Sequence, residues 1–212
     1  WSVGAGWNIS NEEFFIEHVP FIQWLKVKGS YGVSGNMGFS PEDAMAVYTL
    51  DTKNDYMSRF GAYLKAFGNS TLKWQNTYQL NLGVELHTWN RRLQFEFSYY
   101  DKLTNNTVAE MLLPISHGFG TAKANSGSIR NKGWDAKVTV NLFSNPNRGF
   151  TWSVTGSFNH TKNLIEKISE GYKKFLKELN SSMYTADVYY RYREGYSMDA
   201  IYGLRTVGVD PA

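Results

Sequence analysis

Two carboxylates, four imidazoles and a run of tyrosines are the side chains here with the most capacity for chemistry. Glu85 and Glu96 fall on the polar faces of two neighbouring predicted strands. A glycosidase pair needs two such groups across a cleft. Arg91 or Arg92 is placed to neutralise them, and the plainer reading makes both residues part of a polar lining. His18, His87, His117 and His160 lie in separate segments without close ligand spacing, so no metal site is assigned. Ser34, in Gly32-Val33-Ser34-Gly35, lacks the G-x-S-x-G frame of a nucleophile elbow. The 212 residues include no cysteine, which excludes a disulfide scaffold, a thiol enzyme and a cysteine zinc site. No catalytic residue and no cofactor is assigned, and no enzyme is expected. The remaining candidates form the cluster YTADVYYRY. Its Tyr184, Tyr189, Tyr190 and Tyr192 can stack on sugar rings or grip a peptide, and they can equally pack a loop or meet a lid protein.

The elements that would position these groups are strands. Leu80, Leu82, Val84 and Leu86 alternate with Gln79, Asn81, Gly83 and Glu85. After the polar turn His87–Arg91, Leu93, Phe95, Phe97 and Tyr99 alternate with Gln94, Glu96 and Ser98. Successive strand side chains point to opposite faces, so this is a hairpin with one apolar and one polar face. The same period marks Ser2–Trp7, Leu25–Ser34, Asn131–Asn141 and Phe150–Asn163, and Ala200–Val209 opens a further strand. Ser10 and Glu13 are spaced as a capping box, with Ile9 and Phe14 as its hydrophobic staple, ahead of a short helix ending before Pro20. Leu164–Ser182 carries Ile168, Tyr172, Phe175, Leu176 and Leu179 at helical spacing, interrupted by Gly171. Periodicity fails over Gly35–Thr71, read as a loop with a short element near Met45–Leu50. It fails again over Leu103–Arg130, where SHGFGTAKANSGS is rich in small residues.

Composition narrows the class. Hydrophobic residues make up 42% of the chain, too many for a disordered sequence. Mean hydropathy is -0.43, and no apolar run approaches the roughly 20 residues of a membrane helix. A β-barrel escapes that exclusion because alternating strands average to a polar sequence. The net charge of +3 comes from scattered basic residues, so no nucleic-acid partner is expected. The chain opens at Trp1 without Met and closes on Pro211-Ala212; it is read as an internal piece of something longer.

The connections between strands run compact, long, short, long, short, long. In an antiparallel sheet every second connection lies on the same rim, so the long ones share one rim and the short turns the other. Transmembrane barrels have this asymmetry. Strands of about 10 residues or more, with polar faces of Gln, Asn, Ser and Thr, favour a lipid-facing barrel over a soluble all-β domain. Aromatics at strand ends (Tyr99, Tyr100, Trp89, Trp134, Trp152) suit interfacial girdles. A soluble carbohydrate-binding β-domain, with the same aromatics in its core or at its surface, stays open on pattern alone.

Five short runs, in order, add a resemblance. GWNISNEEFF at Gly6–Phe15, LKVKGSYGVSGN at Leu25–Asn36, YYDK at Tyr99–Lys102, GSIRNKG at Gly127–Gly133, and Tyr202-Gly203 with the terminal GVDP at Gly208–Pro211 resemble the SusC/RagA family of TonB-dependent outer-membrane receptors. The resemblance implies part of the C-terminal half of a 22-stranded barrel: an all-β, antiparallel transmembrane segment of about six or seven strands, residues 1–212 belonging to one barrel domain with the plug absent. It implies localisation in the outer membrane of a Gram-negative, Bacteroidetes-like cell, with membrane lipid around the wall and the short turns on the periplasmic side. The implied function is import of oligosaccharides or peptides, with a SusD-like surface lipoprotein as lid and TonB acting through parts of the protein outside this chain.

Overall fold

The computed structural model describes residues 1–56, 59–113, 116, 118–145, 150–182 and 192–201. Six strands form one sheet in the order β1 (Ser2–Asn8), β2 (Ile22–Asn36), β5 (Gln75–Thr88), β6 (Leu93–Leu112), β7 (Thr121–Asn145) and β8 (Phe150–Ile168). β3 (Val47–Tyr56) and β4 (Arg59–Ala66) pair antiparallel as a separate two-stranded sheet, with Tyr48 opposite Leu64. The large sheet is open: β1 and β8 are its edges. No helix among the described residues is long and apolar enough to cross a membrane.

The alternation read from the sequence sets the two faces. β1 meets β2 antiparallel with Trp7 opposite Val27 and Val3 opposite Tyr31. This puts Val3, Ala5 and Trp7 on the side of Val27, Gly29 and Tyr31. Leu82 of β5 packs against the bare backbone of Gly29, and Phe97 of β6 stacks on Trp134 of β7. On the opposite face, Lys28 pairs with Glu85 at 2.6 Å, Asn81 donates to the Ser30 hydroxyl and Thr139 bonds Thr155.

The chain forms two compact units. One contains Trp1–Ser34, Thr77–Leu103 and Arg130–Lys162; the other contains Gly35–Asn76, Thr104–Ile129 and the described part of the segment after Asn163. Within the first unit, the turn between β5 and β6 holds Trp89, Asn90 and Arg91 at φ of 54–62°, a left-handed stretch that costs non-glycine residues about 1–2 kcal/mol each. Hydrogen bonds offset that cost. Thr88 donates to the Phe21 carbonyl at 2.7 Å, the Asn90 N–H binds Gln23, and Asn141 donates through backbone and side chain to the Arg92 and Arg91 carbonyls.

Within the second unit, residues Ile165 and Ile168 of β8 and Tyr172 of the helix α3 (Glu170–Ser182) are buried together. Ser169 caps that helix by accepting from the Tyr172 N–H at 3.3 Å, which absorbs an orphan first-turn donor.

Three expectations need correction. Leu103–Arg130 is not a long loop: β6 runs on to Leu112 and β7 starts at Thr121. The small polar side chains that hide the alternation bond the strands to one another, Thr107 to the Ser126 hydroxyl at 3.0 Å and Asn125 to the Asn106 carbonyl at 2.9 Å. Gly35–Thr71 likewise holds ordered elements, β3, β4 and a short helical turn α2 (Pro41–Ala44). The Ser10–Glu13 capping box does not form. Ser10 sits buried in a 3-10 turn (Ile9–Asn11) and α1 (Glu13–His18) starts without a side-chain cap. The capping box that does form is Ser40–Asp43, at the start of α2.

Candidate functional site

Tyr192 is the one tyrosine of the candidate cluster within the described residues; Tyr184, Tyr189 and Tyr190 lie outside them. It is half-buried, with its ring 6.4 Å from that of Tyr172. The two phenols line an apolar pocket of about 130 Å³ together with Ala109, Ile129, Ile165 and Met198. α3 supplies Tyr172 because the residues at i, i+3 and i+4 (Tyr172, Phe175, Leu176) form its apolar stripe and pack on Ile165 and Ile168. The ring of Phe175 lies 5.6 Å from that of Tyr172.

Backbone pairing positions Tyr192. Gly195, at φ 81°, donates its N–H to the Ile165 carbonyl at 2.8 Å, and Ile165 returns a bond to Tyr196 at 2.9 Å. Glu194 accepts from the Ile168 N–H at 2.9 Å and from Lys173 at 3.0 Å. These bonds hold the Glu194 carboxyl below its usual range, the Ile168 N–H first and Lys173 second. Glu194, then Glu170, raises Lys173 above the usual lysine value. Burial, helped by Tyr192, raises the Tyr172 phenol, so it stays protonated and can donate. An apolar pocket edged by two hydroxyls can hold an aliphatic group, a ring or the apolar face of a sugar. Among the described residues that line it, none is a carboxylate or a histidine.

The floor of the pocket depends on Gly127 of β7. A Cβ there would collide with the Lys167 carbonyl oxygen of β8. Close backbone approach is the physical reason for glycine in that run. The glycine at the other end of GSIRNKG has a matching role in the first unit. The Tyr100 ring covers Gly133, where a Cβ would lie 2.5 Å from its hydroxyl oxygen, and the same hydroxyl bonds Thr161 at 2.7 Å. Tyr100 is thus a brace across three strands, not a girdle residue. Asp101 beside it accepts from Arg130 Nε at 2.8 Å and Nη2 at 2.7 Å, with Lys132 at 3.2 Å. YYDK and NKG are therefore two halves of one contact. Sequence reasoning missed this, although both runs are visible there.

The other candidates have partners of their own or stand exposed. Glu85 is neutralised by Lys28, not by Arg91 or Arg92, and Glu96 is exposed. His18 bonds the Phe14 carbonyl, His87 stacks on Trp24, and His160 lies against Trp134; His117 is outside the described residues. Among the described residues no three His, Asp or Glu side chains gather as a metal set would. Elsewhere in the second unit a polar clamp joins distant segments. Asp43 accepts from Lys123 at 2.9 Å, Asn69 donates to the Lys123 carbonyl, and Asn125 exchanges bonds with Lys73.

Comparison with known proteins gives these features a family. The chain is 28% identical over 208 residues to TonB-dependent receptor P39 of Formosa agariphila, covering 98% of this chain and 18% of that protein. It is 26% identical over 179 residues to TonB-dependent receptor SusC of Bacteroides thetaiotaomicron, covering 80% of this chain and 17% of that protein. Among solved structures, the RagAB peptide importer in its closed-closed state matches with a TM-score of 0.70 and 28% identity, over 80% of this chain and 18% of that one. The chain thus spans about a fifth of the length of the proteins it matches. The open antiparallel sheet is part of a barrel wall. The family model described as "TonB dependent receptor-like, beta-barrel" matches residues 1–210, and the chain belongs to that family.

Proposed function

We propose that the protein containing this chain is an outer-membrane, TonB-dependent importer of oligosaccharides or peptides, working with a SusD-like surface lipoprotein, and that the whole chain is part of its single barrel domain. One observation carries the reading. In the first unit no apolar side chain is buried among the described residues, while Leu82 is 48% exposed, Val154 49% and Phe158 62% on the same sheet face. Leaving such side chains in water forgoes roughly 1.5–3 kcal/mol each. A soluble domain of this size would cover them; lipid does so without a protein core.

Import on this reading involves no bond chemistry. The plug, outside this chain, would be displaced by force from TonB, and the ligand would be held by the residues above the wall. The Tyr172–Tyr192 pocket supplies the apolar and hydroxyl groups that peptide side chains and sugar rings share. The likeness to the RagAB peptide importer supports the peptide half of the substrate class.

The test uses the full gene in its native host. Deletion is expected to abolish growth on the imported peptide or glycan mixture as sole source. Complementation should restore growth, and loss of TonB should mimic the deletion. Recovery of the full-length protein in the soluble fraction without detergent would overturn the reading.

A further inference from the structure

We infer that the apolar face of β6, β7 and β8 ends in a binding site for the phosphate headgroup of an anionic outer-leaflet lipid, formed by Lys132 and Lys162 and braced by Asp101 and Arg130. The inference rests on the lipid-facing reading above. Along this face β6 shows Leu93, Phe95, Phe97 and Tyr99, then Asp101. β7, followed in reverse, shows Val140, Val138, Ala136 and Trp134, then Lys132 and Arg130. β8 shows Phe150, Trp152, Val154, Gly156 and Phe158, then His160 and Lys162. The apolar run of β8 from Phe150 to His160 matches the roughly 9–11 residues a tilted strand needs to cross a bilayer. Charge on a lipid face is costly at midplane and nearly free at the interface. β7 and β8 thus change from apolar to charged at the level of Lys132 and Lys162, with Tyr99 of β6 opposite Lys132, Trp134 one step below and Asp101 one step beyond.

Register brings the two lysines together. Trp134 lies 6.2 Å from His160, and Thr139 bonds Thr155. Both pairs have the same sum of residue numbers, so they belong to one antiparallel register, which sets Lys132 opposite Lys162. Like charges directly across a ladder repel. Asp101, gripped by Arg130, lies 3.2 Å from Lys132 and fixes that ammonium beside the register position of Lys162. Lys132 is 43% exposed and Lys162 is exposed. A phosphate between the lysines would remove the repulsion at the depth where lipid phosphates lie.

The experiment reconstitutes the full-length protein in nanodiscs and measures lipid retention by native mass spectrometry. The probes are bis-phosphorylated lipid A, dephosphorylated lipid A and inorganic phosphate. Phosphorylated lipid A should be retained preferentially. The Lys132→Gln/Lys162→Gln double variant should weaken that retention by about tenfold or more, two interfacial cations being lost. Lys137→Gln, on the opposite face of β7, should change nothing. If the double variant fails to fold, as judged by loss of heat-modifiable mobility on gels, each single variant is read instead, with about a threefold loss expected from each. Equal retention of the two lipids, an unaffected lysine variant, or an equal loss with Lys137→Gln overturns the site. Competition by inorganic phosphate at equal affinity overturns the lipid as its occupant. Failure of the wild-type protein to enter nanodiscs overturns the membrane reading itself, a result distinct from the others.

Discussion

The two units of this chain are built from the same strands and stabilised in opposite ways. In the first, no apolar side chain is buried among the described residues, and the polar face carries the internal bonds: Lys28–Glu85, Asn81–Ser30, Tyr100–Thr161 and Thr139–Thr155. In the second, Ile165, Ile168 and Tyr172 turn inward onto one another under α3, and Asp43, Asn69, Lys123 and Asn125 lock the polar periphery. A strand does not by itself determine which side is the core. Its surroundings do: β8 leaves Val154 and Phe158 exposed and buries Ile165 and Ile168.

That contrast can be broken by substitution. The largest effect is expected for Tyr172→Ala: removal of a buried aromatic should cost about 3–5 kcal/mol. It should raise amide exchange in α3 and the Ile165–Ile168 segment of the full-length protein while leaving Leu80–Leu86 protected. A loss of protection spread evenly over both units would erase the distinction between them. Next is Val154→Arg, expected to cost about 2–4 kcal/mol in a bilayer against little for Thr155→Arg on the other face; urea titration of the folded band in vesicles measures both. Equal costs would mean the Val154 face does not meet lipid. Gly133→Ala drives a Cβ into both the Tyr100 ring and the His160 carbonyl oxygen, and overpacking of this kind costs about 1–3 kcal/mol. Tyr100→Phe/Gly133→Ala should not recover it, because the His160 carbonyl oxygen and the ring carbon both stay in place.

The smallest effect concerns pH and belongs to the second unit. The hydrogen bond from Lys123, then the Ser40 N–H, holds the Asp43 carboxyl below its ordinary value. The folded state therefore binds this proton less readily than the unfolded one. Its stabilisation is complete above the unfolded carboxylate value, near 3.9, and disappears as pH falls through the lowered folded value. Amide exchange near α2 should rise over that acid window, and Lys123→Met should flatten the dependence.

The sequence by itself determined the faces, the hairpin and the amphipathic helix. Each is written in a local period, of two or of 3.6, that survives without partners. It also carried the family, through short runs in a fixed order. Only tertiary structure decided that Thr104–Leu112 and Thr121–Ile129 are strands, because their pairing rests on cross-strand bonds among Thr107, Asn125 and Ser126 and not on alternating hydrophobicity. Tertiary structure alone also brought Tyr192 against Tyr172, and Asp101 between Arg130 and Lys132. Those partners are 20 to 31 positions apart in the chain; strand register sets Asp101 against Arg130 and Lys132, and the bonds of Gly195 and Tyr196 to Ile165 set Tyr192 against the helix.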